Sequence, residues 1–155
     1  MALIVLSREV LPTEKTFCNL VLAATYAKLR TSISKHAYKS GDKFNTFSEI
    51  FVGDYSADDE TSQSFSISVL SERWSKTQFD QGLMKVEFDS YFYYSLAGTD
   101  NTPPHLCYDF SLAYLRQCPK HLISIYDSVF CLADLELIEK EGGYYDEWMI
   151  KGKRK

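Results

Sequence analysis

The heptapeptide SFSISVL, residues 64–70, decides the fold class because it is the clearest strand pattern in the chain. Serine alternates there with Phe65, Ile67 and Val69, and a period of two is typical of a β-strand with one buried face. Residues 83–96 continue the alternation, with apolar side chains on one parity and mostly Lys, Glu, Asp and Tyr on the other. We therefore expect a sheet with one face in the core.

Three helices are predicted around these strands. Apolar residues recur at helical spacing over residues 12–33 on most of the helix circumference, so we expect this helix to be buried. Asp109 is expected to cap a short helix that extends to Gln117. The last helix, from Leu132 to Glu141, is expected to end at the two glycines that follow it.

The order of the elements predicts the fold class. Residues 34–63 are predicted to form a polar connection with weak order, and residues 121–130, HLISIYDSVF, are predicted to form a further strand. Because strands and helices do not alternate regularly, we predict a single α+β domain over residues 1–150, with helices packed on a mainly antiparallel sheet. The basic residues 151–155 are expected to form a disordered tail.

Charge is strongly segregated along the chain. Residues 1–43 hold seven Lys/Arg and three Asp/Glu, whereas residues 44–150 hold six Lys/Arg and eighteen Asp/Glu. The long middle section thus has a formal charge of −12, and residues 151–155 add four basic residues. This distribution favours a partner with a basic surface and argues against direct binding of nucleic acid by the acidic section.

The composition predicts a cytoplasmic protein that needs no cofactor. The apolar N-terminal stretch is too short for a signal peptide or a membrane span. Four cysteines among 155 residues form no CxxC pair, so we expect free thiols in a reducing compartment. Glycine-rich phosphate-binding motifs and the GxSxG motif of a serine nucleophile are absent from the sequence.

Two pairs of residues could in principle bind zinc: His105 with Cys107, and Cys118 with His121. The predicted helix between them separates the pairs by about 13 Å, at about 1.5 Å per residue, which is too far for one tetrahedral site. A cysteine and histidine pair for nucleophilic catalysis has no local support, although an acid and base pair of carboxylates in a cleft stays open. We therefore predict no metal site and no catalytic site.

The C-terminal third combines acidic and aromatic residues, which is typical of a protein-binding surface. Leu132, Leu135 and Ile138 are expected to face inward on the last helix, which leaves acidic side chains to face water. Tyrosine and tryptophan are frequent hot-spot residues in interfaces, and a fixed acidic field speeds the capture of a basic partner. The predicted partner-binding residues are Asp134, Glu136, Glu141, Tyr144, Tyr145, Asp146, Glu147 and Trp148.

Residues 128–151, SVFCLADLELIEKEGGYYDEWMIK, resemble the closing part of small bacterial immunity proteins that neutralise polymorphic or contact-dependent toxins. The likeness consists of the LADLE core of an acidic helix at 132–136, a glycine turn at 142–143 and a Tyr-Tyr-Asp-x-Trp ending at 144–148. It implies a non-enzymatic cytoplasmic inhibitor. The acidic charge suits a cognate toxin of nuclease type with a basic cleft.

Two other functions stay open from the sequence. One is a small hydrolytic enzyme with a carboxylate-lined cleft that also uses Cys107 or His105. The other is an adaptor protein whose apolar first helix, residues 12–33, forms a homodimer.

Overall fold

The computed structural model describes residues 2–7, 11, 13–40, 43–54, 63–69, 92–98, 103–125 and 128–150. Within these ranges the chain forms seven strands and three helices. In chain order they are β1 (Ala2–Ser7), α1 (Thr13–Tyr26), β2 (Arg30–Ser40), β3 (Lys43–Gly53), β4 (Ser64–Val69), β5 (Phe92–Gly98), α2 (Pro104–Gln117), β6 (Leu122–Ile125), β7 (Ser128–Phe130) and α3 (Leu132–Lys140).

The seven strands belong to one antiparallel sheet with the order β2-β3-β4-β5-β1-β6-β7. The N-terminal strand β1 lies inside this sheet, between β5 and β6. Its sequence, ALIVLS, is almost continuously apolar, and Leu3, Val5 and Leu6 are buried. The predicted α+β class with an antiparallel sheet is confirmed.

The register of the strands places the large apolar side chains on one face of the sheet. Val5 lies opposite Ile123, and Ile50 lies opposite Ile67, so each pair shares a face. Each such side chain contributes about 1.5–3 kcal/mol when it is fully buried. The helices add these buried side chains to the same core: Leu20, Ala23, Ala24, Leu106, Phe110, Tyr114, Leu115 and Leu135.

Two predicted elements have the expected positions. Strand β4 covers Ser64–Val69, and Phe65 and Ile67 on its apolar parity are buried. Helix α3 covers Leu132–Lys140 and is followed by Gly142 at φ 118° and Gly143 at φ 82°. These positive φ angles favour glycine, so this pair ends the helix as the sequence predicted.

The first helix is shorter than predicted. It was expected over residues 12–33 but ends at Tyr26, so the prediction was wrong at the C-terminal end of the helix. Lys28 adopts φ 60°, and the N–H of Leu29 donates to the carbonyl of Ala24 at 2.9 Å, which closes the end of α1. Ile33 therefore belongs to β2 rather than to the helix. Leu22 and Tyr26 are 44% and 67% exposed, so part of the apolar circumference of this helix is not buried as expected.

Residues 34–63 were predicted to be a polar connection, and this prediction was wrong for most of their length. Strands β2 and β3 form a hairpin in which eleven consecutive residue pairs are in register. The missed signal was the spacing of two between Ile50 and Val52, which are both buried in β3. Asp54 follows β3, and its carboxylate accepts a hydrogen bond from the N–H of Gln63 at 2.9 Å.

Helix α2 begins earlier than predicted, at Pro104, so Asp109 lies within the helix and does not cap it. A proline suits the first turn of a helix because its missing N–H is not needed there. The strand predicted over residues 121–130 is two short strands, β6 and β7, that pair with each other as a hairpin.

Two predictions fall on residues outside the described ranges. They are the alternating pattern of residues 83–91 and the basic tail at 151–155. Among the helices that the structure describes, none combines the length and the apolar character of a transmembrane span.

Candidate partner-binding surface

The start of α3 uses one of the predicted interface acids for folding. The Oδ2 atom of Asp134 accepts a hydrogen bond from the N–H of Cys131 at 2.9 Å, and the Cys131 side chain caps the N–H of Asp134 in return. This reciprocal arrangement is a capping box. Asp134 is half-buried, so the expectation that it faces water is corrected: its carboxylate holds the beginning of the helix.

Trp148 was predicted to contact a partner, but the structure places it in the core. Its side chain is 0% exposed, and its indole N–H donates a hydrogen bond to the carbonyl of Pro104 at 3.0 Å. The ring centroids of Tyr108 and Phe130 lie 5.3 and 5.5 Å from that of Trp148. A side chain enclosed in this way cannot reach a partner, so its predicted role is corrected. Instead, Trp148 fastens the C-terminal segment to α2.

The residues just before Trp148 lie on the outside of the same segment. Tyr144 is 38% exposed, and Asp146 and Glu147 are exposed. The hydroxyl of Tyr144 donates a hydrogen bond to Oδ1 of Asp146 at 2.6 Å. Partial burial, together with this hydrogen bond and the charge of Asp146, raises the pKa of Tyr144 to about 12. The phenol therefore stays a neutral donor throughout the physiological pH range.

A shallow depression of about 330 Å³ lies over these residues and is lined by Tyr144, Tyr145, Asp146 and Glu147. Tyr145 differs from its neighbour because it is half-buried and packs against the core cluster. The depression is thus lined by one exposed phenol, two exposed carboxylates and one half-buried ring.

Helix α2 contributes residues to this surface that sequence reasoning did not select. The ring of Tyr144 lies 6.1 Å from that of His105 and 6.3 Å from that of Tyr108, measured between centroids. Burial raises the pKa of Tyr108, and the negative charges of Glu139 and Asp109 raise it further. The buried Tyr108 therefore lies beside the ring of Tyr144 and within the field of two carboxylates. We call Asp109, Glu139, Glu141, Tyr144, Asp146 and Glu147 the outer acidic surface.

The remaining predicted acids are less uniform. Glu141 is exposed, directly after the end of α3, whereas Glu136 is half-buried. Glu139, which was not among the predicted partner-binding residues, is exposed and forms an ion pair with Arg116 of α2, in which both side chains are about half exposed. Of the predicted acids, the structure therefore brings Asp146 and Glu147 together beside Tyr144, whereas Asp134 and Glu136 are half-buried on α3.

A groove of about 840 Å³ adjoins this surface, between the end of α1 and the outer side of α2. Its walls and floor are formed by Tyr26, Ala27, Lys28, Asp109, Leu112, Ala113, Arg116, Gln117 and Glu139. Partial burial raises the pKa of Asp109, although the nearby His105 opposes this effect. The groove thus shares two carboxylates with the outer acidic surface.

The residues named for the hydrolytic alternative do not form a reactive pair in the described structure. Cys107 is fully buried, and this burial raises the pKa of its thiol to about 12, which leaves almost no thiolate at neutral pH. His105 lies two positions away on the same helix, a spacing at which side chains do not face each other.

Cys118 and His121, the second pair considered for zinc binding, are linked through Tyr114. The hydroxyl of Tyr114 lies 2.9 Å from Nδ1 of His121, and burial raises the pKa of the neighbouring Cys118 thiol. Within the described part of the chain, no group of three or more His, Cys, Asp or Glu residues is placed to hold a metal ion.

One signal in the sequence could have found the missed residues of α2. If the helix is started at Pro104, then His105, Tyr108, Asp109 and Leu112 fall at spacings of three and four and share one side. The late start assigned to this helix concealed that pattern.

Comparisons of the chain with protein-family models, with curated proteins and with solved structures found no match. No functional residue is therefore assigned by similarity, and the function is inferred from the geometry of the outer acidic surface.

Proposed function

We propose that the protein is a non-enzymatic immunity protein, acting in the cytoplasm, that binds a cognate toxin and blocks it. The toxin in this proposal is a basic protein of nuclease type. The observation that carries the proposal is the two-sided C-terminal segment, in which Trp148 is enclosed in the core while Tyr144, Asp146 and Glu147 face outward. The backbone that carries these exposed side chains is therefore held in place by the core.

Charge supports the proposed choice of partner. Residues 44–150 have a formal charge of −12, and the outer acidic surface holds five of the eighteen carboxylates in this section. A nuclease cleft needs basic side chains to hold phosphates, so its field is complementary to this surface. Opposite fields steer the two proteins together and accelerate association, and salt weakens this effect.

Aromatic contact is expected to determine the lifetime of the complex. Tyr144 offers a phenyl ring with a fixed orientation, because its hydroxyl is held by Asp146. Tyrosine at the centre of an interface contributes much of the binding energy, whereas charges at the rim chiefly change the association rate. Inhibition would follow from occlusion, because a covered cleft cannot admit nucleic acid.

Co-purification followed by a neutralisation assay tests the proposal. The tagged chain is recovered from its native host after a wash at moderate salt, and the bound proteins are identified. We expect one basic protein at a ratio of one to one, whose toxicity on expression alone is abolished when the chain is coexpressed. Recovery of the chain without such a protein, or a bound protein that is not toxic, would contradict the proposal.

A homodimeric adaptor is a second candidate, because α1 exposes two large apolar side chains. Leu22 and Tyr26 are one turn apart on the helix, and they are 44% and 67% exposed. Light scattering decides between the candidates: the immunity proposal expects a monomer that forms a heterodimer with the toxin. A stable dimer that Tyr26→Ser disrupts would favour the adaptor.

A further inference from the structure

His105 lies beside Tyr144 of the outer acidic surface, in the first turn of α2, and is half-buried. Its ring centroid is 6.1 Å from that of Tyr144, and the planes of the two rings are 76° apart. Aromatic rings at this separation and angle are in edge-to-face contact. The imidazole therefore touches the side chain that the proposed function places against the partner.

Both elements that meet at this imidazole carry negative charge. On α2, Asp109 is one helical turn beyond His105. Burial raises the pKa of Asp109, and the charge of His105 opposes this effect. On the C-terminal segment, the hydroxyl of Tyr144 donates to Oδ1 of Asp146 at 2.6 Å, and Glu147 lines the same depression. A positive charge on His105 is therefore added among carboxylates of two elements.

Tyr108 also packs on Tyr144 and completes this group of titratable side chains. The centroids of the two rings are 6.3 Å apart, and the charges of Glu139 and Arg116 act on the Tyr108 hydroxyl. Glu139 and Arg116 form an ion pair, so their charges largely cancel. Burial raises the pKa values of Tyr108 and Tyr144, so both phenols stay neutral between pH 5 and pH 8. Histidine ordinarily changes its charge within this interval.

We propose that His105 makes the outer acidic surface sensitive to pH, because its protonation weakens the capture of a basic partner. The nature of the partner rests on the proposed function. An imidazolium offsets one of the negative charges of the surface and repels a basic ligand. By linkage, a bound basic ligand opposes the protonation of His105 to the same extent, so binding releases a proton. Affinity is therefore highest when His105 is neutral and falls as the pH decreases through its titration.

The other two histidines belong to different parts of the fold. His36 lies in β2, the strand at one edge of the sheet. His121 precedes β6, and its Nδ1 lies 2.9 Å from the hydroxyl of Tyr114. A pH effect that comes from His105 should thus be independent of His36, which provides a matched control.

The titration of the surface is tested first, on the full chain without a partner. The imidazole resonances of His105 and the ring resonances of Tyr144 are followed by NMR from pH 5 to pH 8. We expect one common midpoint, because the two rings are in contact. Asp109→Asn should move this midpoint to lower pH, since it removes a negative charge one helical turn away. Tyr144 resonances that do not follow His105, or a midpoint that is unchanged in Asp109→Asn, would overturn the proposal.

Binding is tested with N-acetyl-tetralysine amide at low salt, a basic probe whose own charge is constant between pH 5.5 and pH 8. We expect the affinity of the wild type to rise about two- to fivefold over this interval. His105→Gln should remove the rise, because glutamine does not titrate. His36→Gln should retain it, and so should Asp109→Asn if protonation of that carboxyl is not its cause. Circular dichroism checks that every variant is folded.

A pH-dependent rise that persists in His105→Gln or disappears in Asp109→Asn would overturn the proposal. Equal affinity of the wild type at both pH values, or no binding of the probe at pH 8, would do the same. Failure of the immunity function is a separate result, because neither assay needs a toxin. A chain that recovers no basic toxin but shows the expected titration and probe binding keeps its pH-sensitive surface and loses only the immunity function.

Discussion

The two sides of the C-terminal segment, residues 141–150, have opposite roles. Trp148 and Met149 are buried in the core, whereas Tyr144, Asp146 and Glu147 face outward within five positions of them. One short stretch of chain thus combines an anchor in the core with a surface that is displayed to solvent. Anchoring reduces the entropy lost when the displayed groups bind, because their backbone is already ordered.

The largest expected effect is on the anchored side. Trp148→Ala should lower the free energy of unfolding by about 3–5 kcal/mol, because it leaves a cavity between Tyr108 and Phe130. Chemical denaturation measures this loss. As a control, Trp148→Phe keeps an aromatic ring and removes the hydrogen bond to Pro104, so it should cost less. A loss below about 1 kcal/mol for the alanine variant would place this residue outside the core.

Two of the cysteines show the same contrast between a buried and an exposed side chain. Cys107 is buried with a thiol pKa of about 12, whereas Cys18 on α1 is exposed. A thiol reagent at pH 8 should therefore label Cys18 in the native protein about a thousandfold faster than Cys107. Mass spectrometry of the labelled peptides measures the two rates. Rapid labelling of Cys107 would reopen the hydrolytic alternative.

Asp134 is a residue of the predicted interface that instead stabilises the fold, at the start of α3. Asp134→Ala should cost about 1 kcal/mol of stability, since it removes one half of the capping box of α3. Glu136→Ala, two positions further along the helix, is the control and should cost less. Equal effects in thermal unfolding would show that the capping hydrogen bond contributes nothing.

The smallest effect concerns Tyr144 on the displayed side. Its pKa is raised to about 12, so the bond to Asp146 stabilises the fold up to the unfolded pKa near 10 and is lost as the pH rises through about 12. Tyr144→Phe should lack this contribution. The stability difference between wild type and variant should thus disappear over that alkaline interval. A difference that is constant between pH 8 and pH 12 would contradict the assignment.

The sequence allowed some elements to be predicted because their signals are local. The alternation in Phe65 and Ile67 indicated β4, and the glycine pair indicated the end of α3. The predictions failed where distant contacts decide the structure. The partner of the Trp148 indole is the carbonyl of Pro104, 44 positions away, so burial of this tryptophan could not be derived from its neighbours.

Other failures have equally specific causes. Lys28 ends α1 in a left-handed conformation that usually favours glycine, and nothing in its residue type announces this. Strand β1 was missed because six apolar residues at a terminus do not reveal that two strands will pair with them. Tyr108 was missed because its importance comes from Trp148, Tyr144 and Glu139, which meet it only in the folded chain.

The association rate constant with the recovered basic toxin, measured at low and moderate salt, shows whether the displayed side of the C-terminal segment captures the partner. The double reversal Asp146→Lys with Glu147→Lys should slow association by about tenfold at low salt and flatten its salt dependence, while stability changes little. Reversal of the exposed Glu14 at the start of α1 is the control and should leave the rate nearly unchanged. Equal rates for wild type and the double reversal would contradict the account, because the displayed side of the C-terminal segment would then have no part in capture.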